Sequence, residues 1–502
     1  MTDHILKLSA SLDRNNFPAD LPALELNCHV NIASNIATSD EGELASSAGI
    51  CLVIDCSSSM IGTKFNLALN TAKMIVGVLH ERHRLSLIAF NDVSHIVIRD
   101  AVPADAEKDS IKTQINQLSS HLGGSTNMAA GISHAMSVFS ESDANANIMV
   151  ILSDGKPDST EDAQKEAIIA SDAGVQLFAV GIGDSYNANQ LLRLVSPSNG
   201  AVFGDSEENR ITEIFYDIID RIDRIIATNV MLSLAFDEGI QLMQAFKTSP
   251  ERSMYDLSNL NSAADNIEFR LGNIGDNRFH ETLLKLEAGK ADLGAKKLIR
   301  IGLQYDTFYF GEQSTHNQEV VLALTYTQGD TETSGANKKI TSAVKSATIV
   351  QLSDELMQAC SSRDNDHALT IIDRLQQYCD KDNNEVLQQQ LENVKDKILR
   401  WGHIDDKDRN DFLLASTVVA PKAELFDLIL VDPGQEMIRL VREIRYATQK
   451  GLREIANMVQ RKNSVVAVFE SRPAAEKLQQ RLGSIGSKVK INAREIEEVE
   501  GE

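Results

Sequence analysis

The sequence predicts a multi-domain α/β protein: a Rossmann-like, doubly wound domain inserted in a β-sandwich, followed by a helical hairpin and a small α+β domain. Three observations carry this prediction. Between residue 49 and about residue 226, apolar strand-like runs alternate with helical patterns, as in a parallel sheet covered on both faces. Two alternating segments near the N-terminus and a regularly spaced series from 228 to 351 read as strands that need one another, because two strands alone are marginal in water. Beyond 351 the apolar spacing becomes helical, and beyond 422 strands and helices mix again.

Length and composition fit this plan. A chain of 502 residues is expected to hold two to four domains, and 42% hydrophobic with 24% charged residues is ordinary for a globular protein. A net charge of -23 argues against nucleic acid or an anionic membrane surface as partner. The N-terminal residues lack a basic stretch followed by an apolar core, and no run approaches the roughly 18 to 20 apolar residues needed to cross a bilayer. Cys28, Cys51, Cys56, Cys360 and Cys379 form no Cys-x-x-Cys pair, so reduced thiols and a cytoplasmic location are expected.

In chain order, residues 1–44 supply N-terminal strands, at 5–10 and 24–32, that pair into the sandwich. Residues 45–226 form the doubly wound domain, with strands at 49–55, 84–91, 147–154 and 175–181. A short edge partner is expected at 95–98, and helices at 64–82, 107–119, 126–140, 159–172 and 208–226. Residues 227–351 form the sandwich, whose last strand is expected at 341–351. Residues 352–401 read as a helical hairpin turning at Asp380–Asn384, 402–421 as a linker, 422–493 as the α+β domain and 494–502 as an acidic tail.

Three stretches within the doubly wound domain carry chemistry. Gly49-Ile50-Cys51-Leu52-Val53-Ile54-Asp55 reads as a buried strand that ends in a carboxylate, and Ser57 and Ser59 follow at alternate positions. In an extended loop the three oxygens point the same way, a set that hard cations such as Mg2+ accept. Gly123-Gly124-Ser125-Thr126-Asn127 delivers a hydroxyl at a helix start, and Ile148 to Asp154 is a second buried strand ending in a carboxylate. Both strand ends lie where open α/β sheets bind ligands.

This order, Asp-x-Ser-x-Ser, then Thr, then Asp, resembles the metal-ion-dependent adhesion site of von Willebrand factor type A domains. The resemblance implies that Asp55, Ser57, Ser59, Thr126 and Asp154 are metal ligands, with Mg2+ expected and Mn2+ or Ca2+ as alternatives. It further implies a protein partner that presents an Asp or Glu carboxylate to the ion. A type A domain inserted in a β-domain is similar to bacterial multi-domain type A proteins.

A second resemblance lies near the C-terminus. Phe426-Asp427-Leu428-Ile429-Leu430, then Val441-Arg442-Glu443-Ile444-Arg445 with Ala447-Thr448, then Gly451-Leu452-Arg453-Glu454, are similar to the C-terminal domain of the ribosomal stalk protein bL12. In that family one helix face touches translation GTPases, which implies a partner-binding role for Ile438, Val441, Arg442 and Arg445. Gln449 in place of a Gly, and Ala456 at a usually basic position, depart from the pattern.

The functional expectation is a non-enzymatic adaptor or scaffold with two protein-binding modules, whose linkage raises effective concentration. A metal-dependent hydrolase is the alternative, and a non-ATPase subunit of a chaperone-like ATPase assembly is a third. The Asp55 loop lacks a second carboxylate two residues on and a neighbouring His base, while His121 and His134 near Thr126 read as structural. There is no phosphate-binding Gly-Lys-Ser/Thr loop, and Tyr186 stands where a dinucleotide fingerprint starting at Gly181 needs its third Gly.

Overall fold

The computed structural model describes residues 4–495 except 20, 35–46, 156, 184–185, 206–213, 215–217, 220, 258–266, 276–278, 310–311, 329–336, 380–383, 420–423, 435–436, 449–454, 456–457, 460, 462–463 and 470–471. The chain divides into two compact units, Met1–Val419 and Ala420–Glu502.

The centre of the first unit is a six-stranded sheet in the order β6-β5-β4-β7-β8-β9. Its strands are β4 (Ala48–Asp55), β5 (Arg84–Phe90), β6 (Ser94–Ala101), β7 (Ala146–Ser153), β8 (Val175–Ile182) and β9 (Val202–Asp205). All neighbours pair parallel except β6, which runs antiparallel to β5 at the edge. Every residue of β4 is buried, as a central strand covered on both faces requires. Ile50, Leu52 and Ile54 join the core beneath helices α1 (Thr63–Val78) and α2 (Lys108–Ile115). Cys51 and Val53 join the core beneath α3 (Met128–Phe139), α4 (Thr160–Asp172) and α5 (Ala188–Val195). Strand order reverses at β4, so its carboxyl end opens into the crevice between two oppositely wound halves.

The remaining strands of this unit form two sheets that share one core. One has the order β1-β3-β14-β11-β12 and the other β13-β10-β15-β16-β2. The N-terminal strands β1 (Leu6–Leu12) and β3 (Ala23–Ser34) join β14 (His280–Gly289) by antiparallel pairing of β3 with β14. The six-stranded domain is therefore an insertion between β3 and β10 (Ile225–Phe236). Strands β11 (Ile240–Ser249), β13 (Ile267–Gly275), β15 (Lys296–Tyr309) and β16 (Glu312–Thr327) complete the two sheets with β2 (Asn16–Pro18) and β12 (Ser253–Met254). The expected closing helix at 208–226 lies largely outside the described residues, and Ile225 already belongs to β10.

Three expectations are corrected here. Residues 341–351 are not a strand but part of helix α6 (Lys338–Ser362). Their β-branched residues gave a strand-like composition, yet Ala343 and Ala347, one helical turn apart, seat that helix on Phe246 and Leu283 of the sandwich. The expected hairpin of 352–401 is instead a larger helical layer: α6 packs with α7 (Asn365–Cys379), α8 (Glu385–Trp401) and α9 (Asp406–Thr417) around one core. The expected linker at 402–421 contains α9, which starts with a capping box between Asp405 and Asp408 and buries Phe412 and Ala415.

Buried Arg252 fastens this helical layer to the sandwich. Its Nε donates to Ser346 Oγ at 3.2 Å, its guanidinium to the Val418 carbonyl at 2.9 Å, and its backbone N–H to the Thr417 carbonyl at 2.7 Å.

The second unit is a three-stranded antiparallel sheet, β18-β17-β19, from β17 (Glu424–Asp432), β18 (Ser464–Phe469) and β19 (Lys488–Glu495). Helices α10 (Met437–Thr448) and α11 (Arg472–Ser484) cover it, with Leu440 and Ile444 of α10 and Leu478 and Leu482 of α11 at four-residue spacing in the core. Among the described residues, no helix is long and apolar enough to cross a membrane.

Candidate metal centre

The carboxyl ends of β4 and β7 bring two acids to one place. Asp55 is fully buried, and its two oxygens are separately engaged: Oδ1 accepts the Ser57 N–H at 2.9 Å, and Oδ2 accepts the Ser153 hydroxyl at 2.6 Å. Burial pushes the Asp55 carboxyl above the usual range; the bonds from Ser153 and Ser57 oppose that push, and the charge of Asp154 adds to it. Asp154 is itself 1% exposed; its Oδ2 pairs with Lys64 Nζ at 3.1 Å, and its Oδ1 is buried with no hydrogen-bond partner. Lys64 supplies a counter-charge at Oδ2, but a buried oxygen left without a donor, as Oδ1 is, costs free energy unless something meets it.

The hydroxyls approach from two loops. Ser57 is extended, and the chain then turns through a short 3-10 segment, Ser58–Met60, which brings Ser57 Oγ and Ser59 Oγ to 3.1 Å of each other. Ser57 is buried and Ser59 exposed, so the loop opens to the surface at Ser59. The loop carrying Thr126 is bonded to the Asp55 loop at two points: Gly123 N–H donates to the Cys56 carbonyl at 2.8 Å, and Ser58 N–H to the Gly124 carbonyl at 3.1 Å. Gly124 has φ +81°, a left-handed conformation that favours glycine. Asn127 then caps α3 by accepting the Ala130 N–H at 3.1 Å. Thr126 is buried immediately before that cap.

The structure thus places Asp55, Ser57, Ser59, Thr126 and Asp154 on three loops at one end of the sheet. Sequence reasoning overlooked five neighbours. Ser153 holds Asp55, and Asp158 holds the Thr126 backbone at 3.0 Å. Lys64 pairs with Asp154. Asn187 N–H donates to the Asp154 carbonyl at 3.0 Å, and the residues on either side of Asn187 are held by Asn410 of α9. Ser153 sits within the motif stretch and was open to notice; Asp158 lies four residues beyond it, and Lys64 and Asn410 have no local signal.

The two nearby histidines are occupied elsewhere. His134 Nδ1 lies 2.8 Å from Ser94 Oγ, and His121 stacks on His95 with ring centroids 4.5 Å apart. Among the described residues, no group of three or more His, Cys, Asp or Glu side chains forms a metal cluster. A site here has two carboxylates and depends on hydroxyls, a donor set suited to a hard, oxygen-seeking cation. The unpartnered Asp154 Oδ1 fits such an ion.

The family profile of the von Willebrand factor type A domain matches residues 49–217, the span that holds β4 and all three loops. Residues 49–217 form a von Willebrand factor type A domain. The profile of the ribosomal protein L7/L12 C-terminal domain matches residues 426–492 in the second unit.

Relatives extend both likenesses. An uncharacterized protein of Synechocystis is 23% identical over 324 residues, which cover 64% of this chain and 75% of the other. The bL12 protein of Bartonella henselae is 32% identical over 77 residues, 15% of this chain, and the match spans 63% of that protein. Among solved structures, a von Willebrand factor type A protein from Catenulispora acidiphila superposes with a TM-score of 0.68 at 17% identity, over 83% of this chain and 97% of the other. The ArnB paralog VWA2 of Sulfolobus acidocaldarius does so with a TM-score of 0.55 at 15% identity, over 82% of this chain and 97% of the other. At such identities the likeness is one of fold, and it reaches well beyond the type A domain.

In the L7/L12-like unit, α10 carries Ile438, Val441, Arg442 and Arg445. Val441 packs half-buried against the small core, while the side chains of the other three lie outside the described ones. Glu443 on the same helix pairs with Arg481 of α11.

Proposed function

We propose that this protein is a non-enzymatic, intracellular adaptor whose type A domain binds a protein partner through a Mg2+-dependent adhesion site. The observation that carries this reading is the buried, unpartnered Asp154 Oδ1 at the same end of the sheet as buried Asp55, whose oxygens are oriented by Ser57 and Ser153. Asp55 and Asp154 would supply the charge, and Ser57, Ser59 and Thr126 the neutral oxygens.

Bound Mg2+ supplies a Lewis-acidic position for an Asp or Glu carboxylate of the partner. The chain's own residues do the rest. Ser153 and the Ser57 N–H orient Asp55, and Asp158 with the Asn127 cap fixes the Thr126 turn. Exposed Ser58 and Ser59 leave the approach open. The L7/L12-like unit is a second protein-binding module, with α10 as its contact helix, and two modules on one chain raise local concentration without new contacts.

Two measurements test this. Calorimetric titration of the full chain with Mg2+ should show binding that Asp55→Ala abolishes while the circular dichroism spectrum persists. Affinity purification in Mg2+ or chelator, with mass spectrometry, should show partners lost on chelation and with Asp55→Ala. Identical captures in all arms would refute the adhesion-site reading.

A further inference from the structure

Lys64 is out of place by the rules of helix stability. It is the second residue of α1, where the helix dipole is positive and a cation is unfavourable, and the Gly62 N-cap offers no side chain to offset it. Its ammonium is nevertheless held 3.1 Å from Asp154 Oδ2, against a carboxylate that is 1% exposed. Its stem lies against Gly183 in the loop after β8: a Cβ on Gly183 would come within 3.0 Å of Lys64 Cε. Lys64 itself is only 23% exposed. Asp154 thus holds a charge that local helix physics disfavours, Gly183 leaves room for the stem that delivers it, and the charge is held on a candidate metal ligand.

We propose that Lys64 tunes the metal site: its ammonium shares the Asp154 carboxylate with the bound ion, which weakens metal binding and leaves the loaded site with one net positive charge. This inference rests on the metal reading given above. The charge follows from the groups present, since two carboxylates, one ammonium and a divalent ion leave one positive charge, whereas without Lys64 the site would be neutral. A site that keeps a charge over is better suited to hold an anionic guest than to bury a metal permanently. Lys64 therefore exchanges metal affinity for partner affinity, and it also supplies Asp154 with a counter-charge when no ion is bound.

The test uses the full chain and Mg2+ alone as probe, by calorimetric titration at fixed ionic strength. Even at the dielectric of bulk water, a unit charge next to a divalent ion is a repulsion worth about tenfold in affinity, so Lys64→Met should bind Mg2+ about tenfold more tightly than wild type. Lys64→Gln is the second neutral variant should Lys64→Met fold poorly, and Lys64→Arg, which keeps the charge, should stay near wild type. A tightening of less than about threefold in the neutral variants overturns the inference. Wild-type binding with unchanged variant affinity would refute this proposal alone, whereas a wild-type chain that takes up no Mg2+ removes the metal reading and this proposal together.

Discussion

Thr126 and Asp158 exchange hydrogen bonds in both directions: the Thr126 N–H donates to Asp158 Oδ2 at 3.0 Å, and the Asp158 N–H donates to the Thr126 carbonyl at 2.9 Å. The pair joins the loop after β7 to the turn before α3, so the two loops that carry Thr126 and Asp154 are held as one piece. Asp158 is exposed and contributes little to the core. Asp158→Ala should therefore lower Mg2+ affinity by about 10- to 100-fold, as loss of a partner that orients a ligand does. Its melting temperature without metal should stay close to wild type, which calorimetry and thermal melts together would check.

The pH response follows from Asp55. Burial raises its folded pKa, so the folded chain holds this proton more tightly than the unfolded chain. That contribution to stability is complete below the ordinary carboxylate value and is lost as pH rises through the folded pKa. The metal-free protein should lose stability as pH climbs above the usual Asp range, and Mg2+ at about 100 times its dissociation constant should restore about 2.7 kcal/mol. Asp55→Asn should flatten this slope and abolish the Mg2+ effect. Thermal melts across pH, with Mg2+ or chelator, read both.

Asn410 tests the contact between the helical layer and the type A domain. It is 3% exposed and bonds the Ala188 N–H at 3.2 Å and the Tyr186 carbonyl at 2.5 Å. Asn410→Ala leaves the Ala188 N–H buried without that acceptor, a loss of about 1–3 kcal/mol. Urea titration of the wild type and variant should show it as a lower midpoint.

Phe412 tests whether α9 is structural. It is fully buried in the core of the helical layer, and Phe412→Ala should cost about 3–5 kcal/mol. Limited proteolysis should then cut within residues 402–421 at protease levels the wild type survives. Equal resistance would show that this segment contributes little to the fold.

The parts legible in the sequence were those with local causes. The apolar run of β4 must be covered on both faces, so its burial and the placing of Asp55 at its end follow from the run itself. The acidic end of β7 and the Gly123-Gly124 turn are equally local, and so is the four-residue spacing of Leu440 with Ile444. Helix α6 was misread because β-branched residues near 341–351 favour a strand wherever packing does not decide otherwise. Helix α9 was misread because its polar face dominates its composition, while few residues such as Phe412 mark the buried side.

The sequence alone determined which strands are central, where they end, and which oxygen-bearing side chains stand at those ends, because burial and turn chemistry act over a few residues. Only the tertiary structure decided what meets those oxygens. Lys64 reaches Asp154 across 90 residues, and Asn410 braces the chain around Asn187 from more than 220 residues away. Such contacts arise from the docking of separate elements, and no periodicity within either segment encodes the partner it will find.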